Sequence, residues 1–328
     1  MKILILNHDE VVQLLPMQEC IGVMREALIR LARGQVHQPL RMIVRPPDAA
    51  GVMGLMPSYM SGDDAAYALK TVCVFPDNPS QGKDAHQGSV MLFSAETGEL
   101  QAMMNASAVT AIRTAAVSGV ATELLAREDA HELAIVGAGV QARTHLAAMS
   151  CVRSIERCRI ASRTIEHARQ LVDEMSDSFP FPLAAVETVE QALADADLIV
   201  TATNAKEPVL KREWISPGVH LNVVGSSSPK SREVDTATMA AAALFVDRRE
   251  STLNEAGDYL FAASEGAIGP DHIRAELGEL LTRSKRGRTS PDEITLFKSL
   301  GLAVEDLAAA AYLYKKAKEL NAGTWVEF

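Results

Sequence analysis

Near the middle of the chain stands the sequence Ala134-Ile135-Val136-Gly137-Ala138-Gly139-Val140-Gln141-Ala142. It joins a short apolar strand, a glycine-rich turn and the start of a helix, the context in which G-x-G-x-x-[GA] binds a dinucleotide. Gly137 permits a tight turn, Gly139 lets the backbone approach a pyrophosphate, and Ala142 lets the helix pack closely on the strand. The free N–H groups of the helix N-terminus attract phosphates. The turn therefore predicts a dinucleotide site, although other tight α/β turns also match this pattern.

From His131 onward, predicted strands alternate with helices. The strands are expected at 133–136, 157–161, 198–201, 220–224 and 244–246. Repeated strand–helix units imply a doubly wound parallel sheet, and hence an α/β fold class with a Rossmann domain.

The residues before the glycine-rich turn have a different pattern, typical of an α+β domain. We predict a helix over 13–33, strands at 41–44, 52–56 and 66–75, a hairpin around 95–98, and a long helix over 107–127. A last amphipathic helix over 302–320 is expected to return to this first domain, which would make that domain discontinuous.

The composition fits a protein with sizeable apolar cores. The chain has 328 residues, 48% of them hydrophobic, and this length favours two domains. Its net charge of −10 argues against nucleic acid or an anionic membrane as a partner. No secretory signal or membrane-spanning run is predicted. The four cysteines show neither metal nor disulfide spacing, so we expect reduced thiols, a cytoplasmic location and no metal site.

The end of the second predicted Rossmann strand bears on the choice of dinucleotide. In NAD-binding proteins a carboxylate near this point binds the ribose 2′-hydroxyl. Here the strand is followed by Ser162-Arg163-Thr164, and the first acid is Glu166. A guanidinium with flanking hydroxyls attracts a 2′-phosphate, so NADP(H) is the expected cofactor. The alternative is that Arg163 stacks on the adenine of NAD(H).

Three cations occupy positions where a fold prefers apolar groups. Arg113 is the single charge in the small-residue helix 108–117, Lys70 lies in the apolar strand 67–74, and Arg41 opens a strand. Because an unpaired buried cation is costly, an anion is expected near Arg113. Together the three could cradle a carboxylate. The alternatives are a structural carboxylate partner for Arg113, an edge-strand position for Lys70, and an ordinary surface charge for Arg41.

With these residues in hand, the chain resembles the ornithine cyclodeaminase/mu-crystallin family over nearly its whole length. The resemblance is carried by the segments 39–41, 54–59, 69–70, 110–116, 137–142, 221–225 and 297–306.

The resemblance implies a homodimer in which 1–115 and 303–328 form a substrate-binding and dimerisation domain, and 116–302 form a Rossmann NAD(P)-binding domain. It implies that Arg41, Lys70 and Arg113 hold a substrate carboxylate beside the nicotinamide, with Leu300 and Gly301 also binding substrate. The cofactor contacts that it implies are Thr114, Gly137, Gly139, Val140, Gln141, Ser162, Arg163, Thr164, Thr201, Thr203, Gly225 and Ser226.

Two departures indicate a branch of the family. Ser227 stands where cyclodeaminases and related alanine dehydrogenases usually carry an acid, and Gly54 stands where cyclodeaminases tend to have Glu. Both look like the mu-crystallin branch, whose members are NADPH-linked ketimine reductases. The expected function is therefore NADPH-dependent reduction of an imine next to a carboxylate, such as pyrroline- or piperideine-2-carboxylate.

In this hypothesis the catalytic residues are Lys70, Arg113 and Ser227. Lys70 fixes the carboxylate or donates the proton, because a desolvated lysine near arginines has a lowered pKa. Ser227 hydrogen-bonds the ring nitrogen, and His86 is interpreted as a structural loop histidine. The alternatives are an NAD-dependent ornithine or lysine cyclodeaminase that releases ammonia, an alanine dehydrogenase-like enzyme or reductive aminase, and a non-catalytic NADPH- or ligand-binding protein.

Overall fold

The structure, a computed structural model, describes residues 2–328 apart from the side chain of residue 79. Its contacts divide the chain into two compact units. Unit 1 comprises Met1–Thr114 and Gly301–Phe328, and unit 2 comprises Ala115–Leu300.

The α-helices and β-strands of residues 2–328 have the following order in the chain. Up to the end of the long central helix they are β1 (Lys2–Leu6), α1 (His8–Leu14), α2 (Met17–Ala32), β2 (Val36–His37), β3 (Met42–Val44), β4 (Val52–Met60), β5 (Ala66–Val74), β6 (His86–Ser94), β7 (Leu100–Asn105) and α3 (Ala106–Leu125). Next come β8 (Glu132–Val136), α4 (Val140–Val152), β9 (Arg157–Ala161), α5 (Ile165–Met175), β10 (Leu183–Ala185), α6 (Val189–Leu193), β11 (Leu198–Thr201) and β12 (His220–Val223). The remainder are α7 (Thr236–Ala241), β13 (Ala243–Val246), α8 (Arg249–Glu255), α9 (Gly257–Ser264), β14 (Ile273–Glu276), α10 (Leu277–Leu281), β15 (Thr295–Lys298), α11 (Ala303–Leu320) and β16 (Thr324–Glu327).

Unit 1 is built on a mixed sheet in the order β16-β1-β7-β6-β5-β4-β2, with β3 paired to β4. Helix α11 packs on β4, β5 and β6 and against α2. The backbone of its first turn is held in place, because Val304 N–H donates to Gln38 Oε1 at 2.8 Å and Ser58 Oγ donates to Ala303 O at 3.1 Å. The acidic residues that open α11 are thereby fixed against the sheet.

Unit 2 contains a parallel sheet in the order β10-β9-β8-β11-β12-β15-β13-β14. Every residue of β11 and of β12 is buried, as expected for strands covered on both faces. The strand order reverses direction between β8 and β11, and ligands of such sheets bind outside the carboxyl ends of the strands at this switch point. The predicted α/β fold class with a doubly wound parallel sheet is confirmed.

Several predicted elements needed correction. The single helix expected over 13–33 is two helices, α1 and α2, because Pro16 lacks an N–H and restricts the backbone of Leu15. Strand β4 continues to Met60, beyond the predicted end at residue 56. Strands β10, β14 and β15 were not predicted. Each has only three or four residues, too few for a clear local signal even in β14, where apolar and polar residues alternate.

Helix α3 is the one helix of residues 2–328 that is long and apolar enough to cross a membrane by these two criteria. Most of its apolar window, 83%, is buried inside the protein. Burial to this extent is typical of a core helix.

Candidate active site

Unit 1 contains a buried cluster of four charged side chains. Arg113 Nη1 lies 2.7 Å from Glu305 Oε2, and Arg113 Nε lies 3.1 Å from Asp306 Oδ1. Lys70 Nζ lies 3.1 Å from the same oxygen of Asp306. All four residues are at most 4% exposed. The cluster balances two cations against two carboxylates, which offsets part of the cost of desolvating them.

The fold explains why these charges meet. Lys70 is on β5, where it lies opposite Met56 of β4 and Val90 of β6. Its side chain therefore projects from the sheet face that packs against α11. Glu305 and Asp306 lie in the first turn of α11, where the helix dipole favours negative charge.

The structure bears on the alternatives for two of the cations. Arg113 has the carboxylate partners that its burial requires, Glu305 and Asp306, and its role in binding a substrate carboxylate stays a prediction. The edge-strand interpretation of Lys70 is wrong, because β5 lies between β4 and β6 and the Lys70 side chain is 3% exposed.

Two further predicted residues of unit 1 approach this cluster. Arg41 Nη2 donates to Gly301 O at 3.0 Å. Gly301 has φ +78°, and a Cβ there would lie 2.3 Å from Arg113 Nη1, so only glycine lets the backbone pass this close to the guanidinium. Thr114 follows Arg113 on α3 and is buried. The structure thus brings Arg41, Lys70, Arg113 and Gly301 together.

The ammonium of Lys70 has an environment suited to proton transfer. Burial lowers its pKa from the ordinary 10.5 to about 8, against the opposing effect of Asp306. Within residues 2–328, Lys70 makes a single side-chain hydrogen bond, to Asp306, although an ammonium carries three donors. A group with a pKa near the working pH can give up a proton readily, which is the property required of a general acid.

A row of one valine between two glycines lies beside Lys70. Gly54, Val72 and Gly88 are paired across β4, β5 and β6 and share the sheet face of Lys70. A Cβ at Gly88 would lie 2.0 Å from Thr71 O, whereas a Cβ at Gly54 would make only ordinary contacts at 3.5 Å. We call this row the glycine floor. It leaves an apolar surface about two residues along the strand from the ammonium.

His86 begins β6 and lies opposite Val74, farther along the same face. Partial desolvation and then the cations Lys70 and Arg113 lower its pKa, with Asp84 opposing them. The imidazole is therefore neutral at physiological pH. His86 lies in a strand, whereas a loop was predicted, and its structural role stays a prediction.

In unit 2 the glycine-rich turn has the geometry that a dinucleotide requires. Gly137 has φ +123°, and a Cβ there would lie 2.4 Å from Ala202 O. A Cβ at Gly139 would meet nothing within 4 Å, so the backbone is open to a ligand. Helix α4 starts here without a side-chain cap, which leaves N–H groups for phosphates. Gln141 Oε1 is buried and lacks a hydrogen-bond partner among the described residues. The open backbone at Gly139 and the N–H groups at the start of α4 fit a pyrophosphate group.

The residues predicted to select the dinucleotide lie at the carboxyl end of β9. Arg163 is exposed, and the part of the chain that the structure describes offers it no hydrogen bond or ion pair. Thr164 precedes α5 as its N-cap residue without making a side-chain capping bond, and Ser162 is half-buried. A guanidinium with neighbouring hydroxyls is thus available to a ligand at this point.

The remaining predicted residues of unit 2 have different surroundings. The Thr201 and Thr203 hydroxyls donate to the buried Glu233, and Ser226 Oγ donates to Ser231 O. Ser227 and Val140 are exposed, and Gly225 is half-buried. Leu300 is buried, and its N–H donates to Asp247 Oδ2 at 2.6 Å. The cofactor and substrate roles of these residues stay predictions.

Sequence reasoning missed the acidic partners of both groups. In unit 1 these are Glu305 and Asp306, and in unit 2 Glu233. The available signal was the pair of adjacent acids at the start of a helix that is otherwise apolar and alanine-rich. A helix with so few polar residues is expected to be buried, and a buried acid needs a cation as partner. Within residues 2–328, no group of three or more His, Cys, Asp or Glu residues is arranged to hold a metal ion.

Comparison with known proteins places this geometry in context. A Delta(1)-pyrroline-2-carboxylate reductase of Bacillus cereus is 38% identical over 326 residues, covering 99% of this chain and 100% of the relative. Ketimine reductase mu-crystallin of Mus musculus is 39% identical over 281 residues, covering 86% of this chain and 85% of the relative.

Solved structures show the same similarity. Thermococcus litoralis Delta(1)-pyrroline-2-carboxylate reductase, in complex with NADH and L-proline, matches with a TM-score of 0.96 and 39% identity, covering 98% of this chain and 99% of that chain. The model of the ornithine cyclodeaminase/mu-crystallin family matches residues 1–321. The chain therefore belongs to the ornithine cyclodeaminase/mu-crystallin family.

Proposed function

We propose that the protein is an NAD(P)H-dependent reductase of cyclic imines that carry a carboxylate next to the C=N bond. Reduction of Δ1-pyrroline-2-carboxylate to proline is the model reaction, and piperideine-2-carboxylate is the six-membered homologue. The observation that carries this proposal is the buried cluster in which Lys70 has a pKa of about 8 beside Arg113 and two acids. The Bacillus and Thermococcus relatives support it.

Each residue of the cluster has a distinct part in this mechanism. Arg41 and Arg113 bind the substrate carboxylate through charge-assisted hydrogen bonds. Lys70 donates a proton to the imine nitrogen, which makes the imine carbon electrophilic. Glu305 and Asp306 orient the Arg113 guanidinium, and Asp306 also orients Lys70. When bound, the reduced dinucleotide supplies the hydride.

Residues of unit 2 would hold the dinucleotide. The open backbone at Gly139 and the uncapped start of α4 would bind the pyrophosphate. The glycine floor beside Lys70 would contact the apolar ring carbons of the substrate.

The reaction is tested by following oxidation of NADPH and NADH with cyclic ketimines, with 2-oxo acids plus amines, and with ornithine. We expect turnover with the carboxylate-bearing cyclic imines. Ammonia release from ornithine, or oxidation that requires pyruvate plus an amine, would instead support a cyclodeaminase or a reductive aminase.

The role of Arg41 in the carboxylate site can be tested by substitution, because Arg41 is partly exposed. We expect Arg41→Met to raise the KM for the imine about tenfold or more, through loss of a charge-assisted contact. Arg45→Met, four residues away and exposed, is the matched control. An unchanged KM in Arg41→Met removes Arg41 from the site.

For the cofactor we propose a preference for NADP(H) over NAD(H). Support comes from the exposed Arg163 with Ser162 and Thr164 beside it, and from the lack of an acid before Glu166. Arg163→Asp should weaken NADPH binding about tenfold or more and NADH binding much less, with the exposed Arg286→Asp as the charge-matched control. Equal weakening for both dinucleotides would favour adenine stacking instead.

We also propose that the protein is a homodimer assembled through unit 1. Strand β3 exposes three consecutive apolar residues, Met42 at 61%, Ile43 at 46% and Val44 at 46%, an unusual surface for a monomer. Light scattering should give twice the chain mass for the wild type. The double variant Met42→Glu/Val44→Glu should give the mass of one chain, whereas Val12→Glu on α1 should not. A monomeric wild type contradicts the proposal.

A further inference from the structure

The strongest unexplained feature of unit 2 is the carboxylate of Glu233. The side chain is fully buried and accepts four hydrogen bonds. Oε2 accepts from Thr201 Oγ1 at 2.9 Å and from Gly225 N at 2.6 Å, while Oε1 accepts from Thr203 N at 2.7 Å and Thr203 Oγ1 at 2.8 Å. A carboxylate is buried this completely only where donors repay its desolvation. Glu233 therefore joins the segments that follow β11 and β12.

A second pair of charges supports Glu233 from behind. Asp258 Oδ1 accepts from the N–H groups of Glu233 at 2.7 Å and of Val234 at 3.1 Å. Lys298 Nζ lies 3.0 Å from Asp258 Oδ2 and donates to Ser226 O at 2.6 Å. The side chains of Asp258 and Lys298 are both 0% exposed. Lys298 and Glu233 thus fix the two ends of the loop 226–233. We call this loop the serine loop.

The serine loop is also held by direct backbone contacts. A Cβ at Gly225 would lie 2.1 Å from Thr203 O, and a Cβ at Gly257 would lie 2.0 Å from Ser231 O. Inside the loop, Ser226 Oγ donates to Ser231 O at 2.6 Å. Such close contacts pack the loop tightly against its neighbours, with Ser227 exposed on it.

The position of these segments in the sheet gives them a functional meaning. Strands β11 and β12 lie on the side of the switch point opposite to β9. In a doubly wound sheet a dinucleotide crosses the switch point. Because the glycine turn follows β8 and Arg163 follows β9, the adenosine half belongs to that side. The nicotinamide half then belongs to the ends of β11 and β12.

We propose that Glu233 is a positioning residue, supported by Asp258 and Lys298, that fixes the two strand-end segments receiving the nicotinamide half of the dinucleotide. This inference rests on the proposed reductase function, which requires a dinucleotide. It assigns the Thr201 and Thr203 hydroxyls to Glu233, so these residues would shape the site through their backbone. No contact between Glu233 and the cofactor is required.

The test compares two ligands that share the adenosine half. One is the reduced dinucleotide, followed by its fluorescence; the other is the matching ADP-ribose, which lacks nicotinamide and is followed by calorimetry. In Glu233→Gln an amide N–H₂ replaces one acceptor oxygen and faces donors. We expect the Kd of the reduced dinucleotide to rise about tenfold or more, while the Kd of the ADP-ribose changes less than about twofold.

Two further variants make the test specific. Asp258→Asn leaves the buried Lys298 without its carboxylate and loosens the support of Glu233, so it too should weaken binding of the reduced dinucleotide more than that of the ADP-ribose. Glu213→Gln changes an exposed acid of unit 2 and should leave both ligands unaffected. Thermal unfolding checks that each variant is folded.

The outcomes separate this inference from the proposed function. Equal weakening of both ligands in Glu233→Gln, or no weakening of either, overturns the positioning role. A wild type that binds the reduced dinucleotide but reduces no imine counts against the proposed function alone, since the ratio of the two Kd values still decides the role of Glu233. A wild type that binds neither ligand overturns both.

Discussion

The two units bury their charges in opposite arrangements. In unit 1 the cations Lys70 and Arg113 occupy the predicted site, and Glu305 and Asp306 support them. In unit 2 a carboxylate, Glu233, supports backbone and hydroxyl groups, and the lysine of that cluster is fully buried behind it. An anionic substrate and a large cofactor make different demands. The anionic substrate requires cations held in fixed positions, and the cofactor requires a binding surface of fixed shape.

Substitution of Lys70 should have the largest effect and tests the difference between the two units most directly. We expect Lys70→Met to lower kcat for imine reduction about a thousandfold, within the range of a lost general acid, while the Kd of the dinucleotide stays unchanged. Steady-state kinetics and dinucleotide fluorescence measure the two quantities. The exposed Lys83→Met of unit 1 serves as the control. A kcat within about threefold of the wild type would assign the proton to another group.

The acid behind Lys70 should affect the pH profile more than the chemistry itself. In the wild type, kcat should fall above pH 8, since the Lys70 pKa is about 8 and only the ammonium can donate. Asp306 raises that pKa, so Asp306→Asn should move the fall to lower pH by about one pH unit or more. The profile of kcat against pH measures both effects. A shift towards higher pH contradicts this account of Lys70.

The smallest effect is expected for a substitution in the glycine floor. It tests whether unit 1 selects its substrate by the size of the ring. Gly54→Ala adds a methyl group that fits at ordinary contact distance. It should raise the KM of the six-membered imine about tenfold relative to the five-membered one, the lower end of what one carbon discriminates in an apolar pocket. Gly22→Ala on the exposed side of α2 is the control. Equal effects on both rings would mean that the floor does not contact the ring.

Much of the fold was predictable because strand–helix alternation is a local signal. The parallel sheet of unit 2 follows from apolar runs such as Leu198–Thr201, whose predicted bounds match β11. The break at Pro16 was also locally encoded, but the apolar spacing on either side of it obscured the interruption. Short strands such as β15 depend on tertiary pairing, and their local sequence carries little information.

The candidate site was predictable only on its cationic side. Lys70 and Arg113 stood out because their neighbours are apolar or small, and burial makes such charges conspicuous. Their partners Glu305 and Asp306 did not stand out, because acids in the first turn of a helix are common for local reasons. Glu233 and Lys298 are far apart in the chain, so their connection through Asp258 exists only in the folded structure.

The discontinuity of unit 1 has a consequence for how the protein folds during its synthesis. Chains fold as they leave the ribosome, N-terminal parts first, and unit 2 is complete once Leu300 has emerged. Lys70 and Arg113 are synthesised much earlier, yet their acids arrive only with α11. Until α11 is synthesised, Lys70 and Arg113 lack the carboxylates that offset the cost of burying them. The segment Gly301–Phe328 therefore completes the charge cluster, and a nascent chain that has not yet added it contains the residues of unit 2 but lacks Glu305 and Asp306.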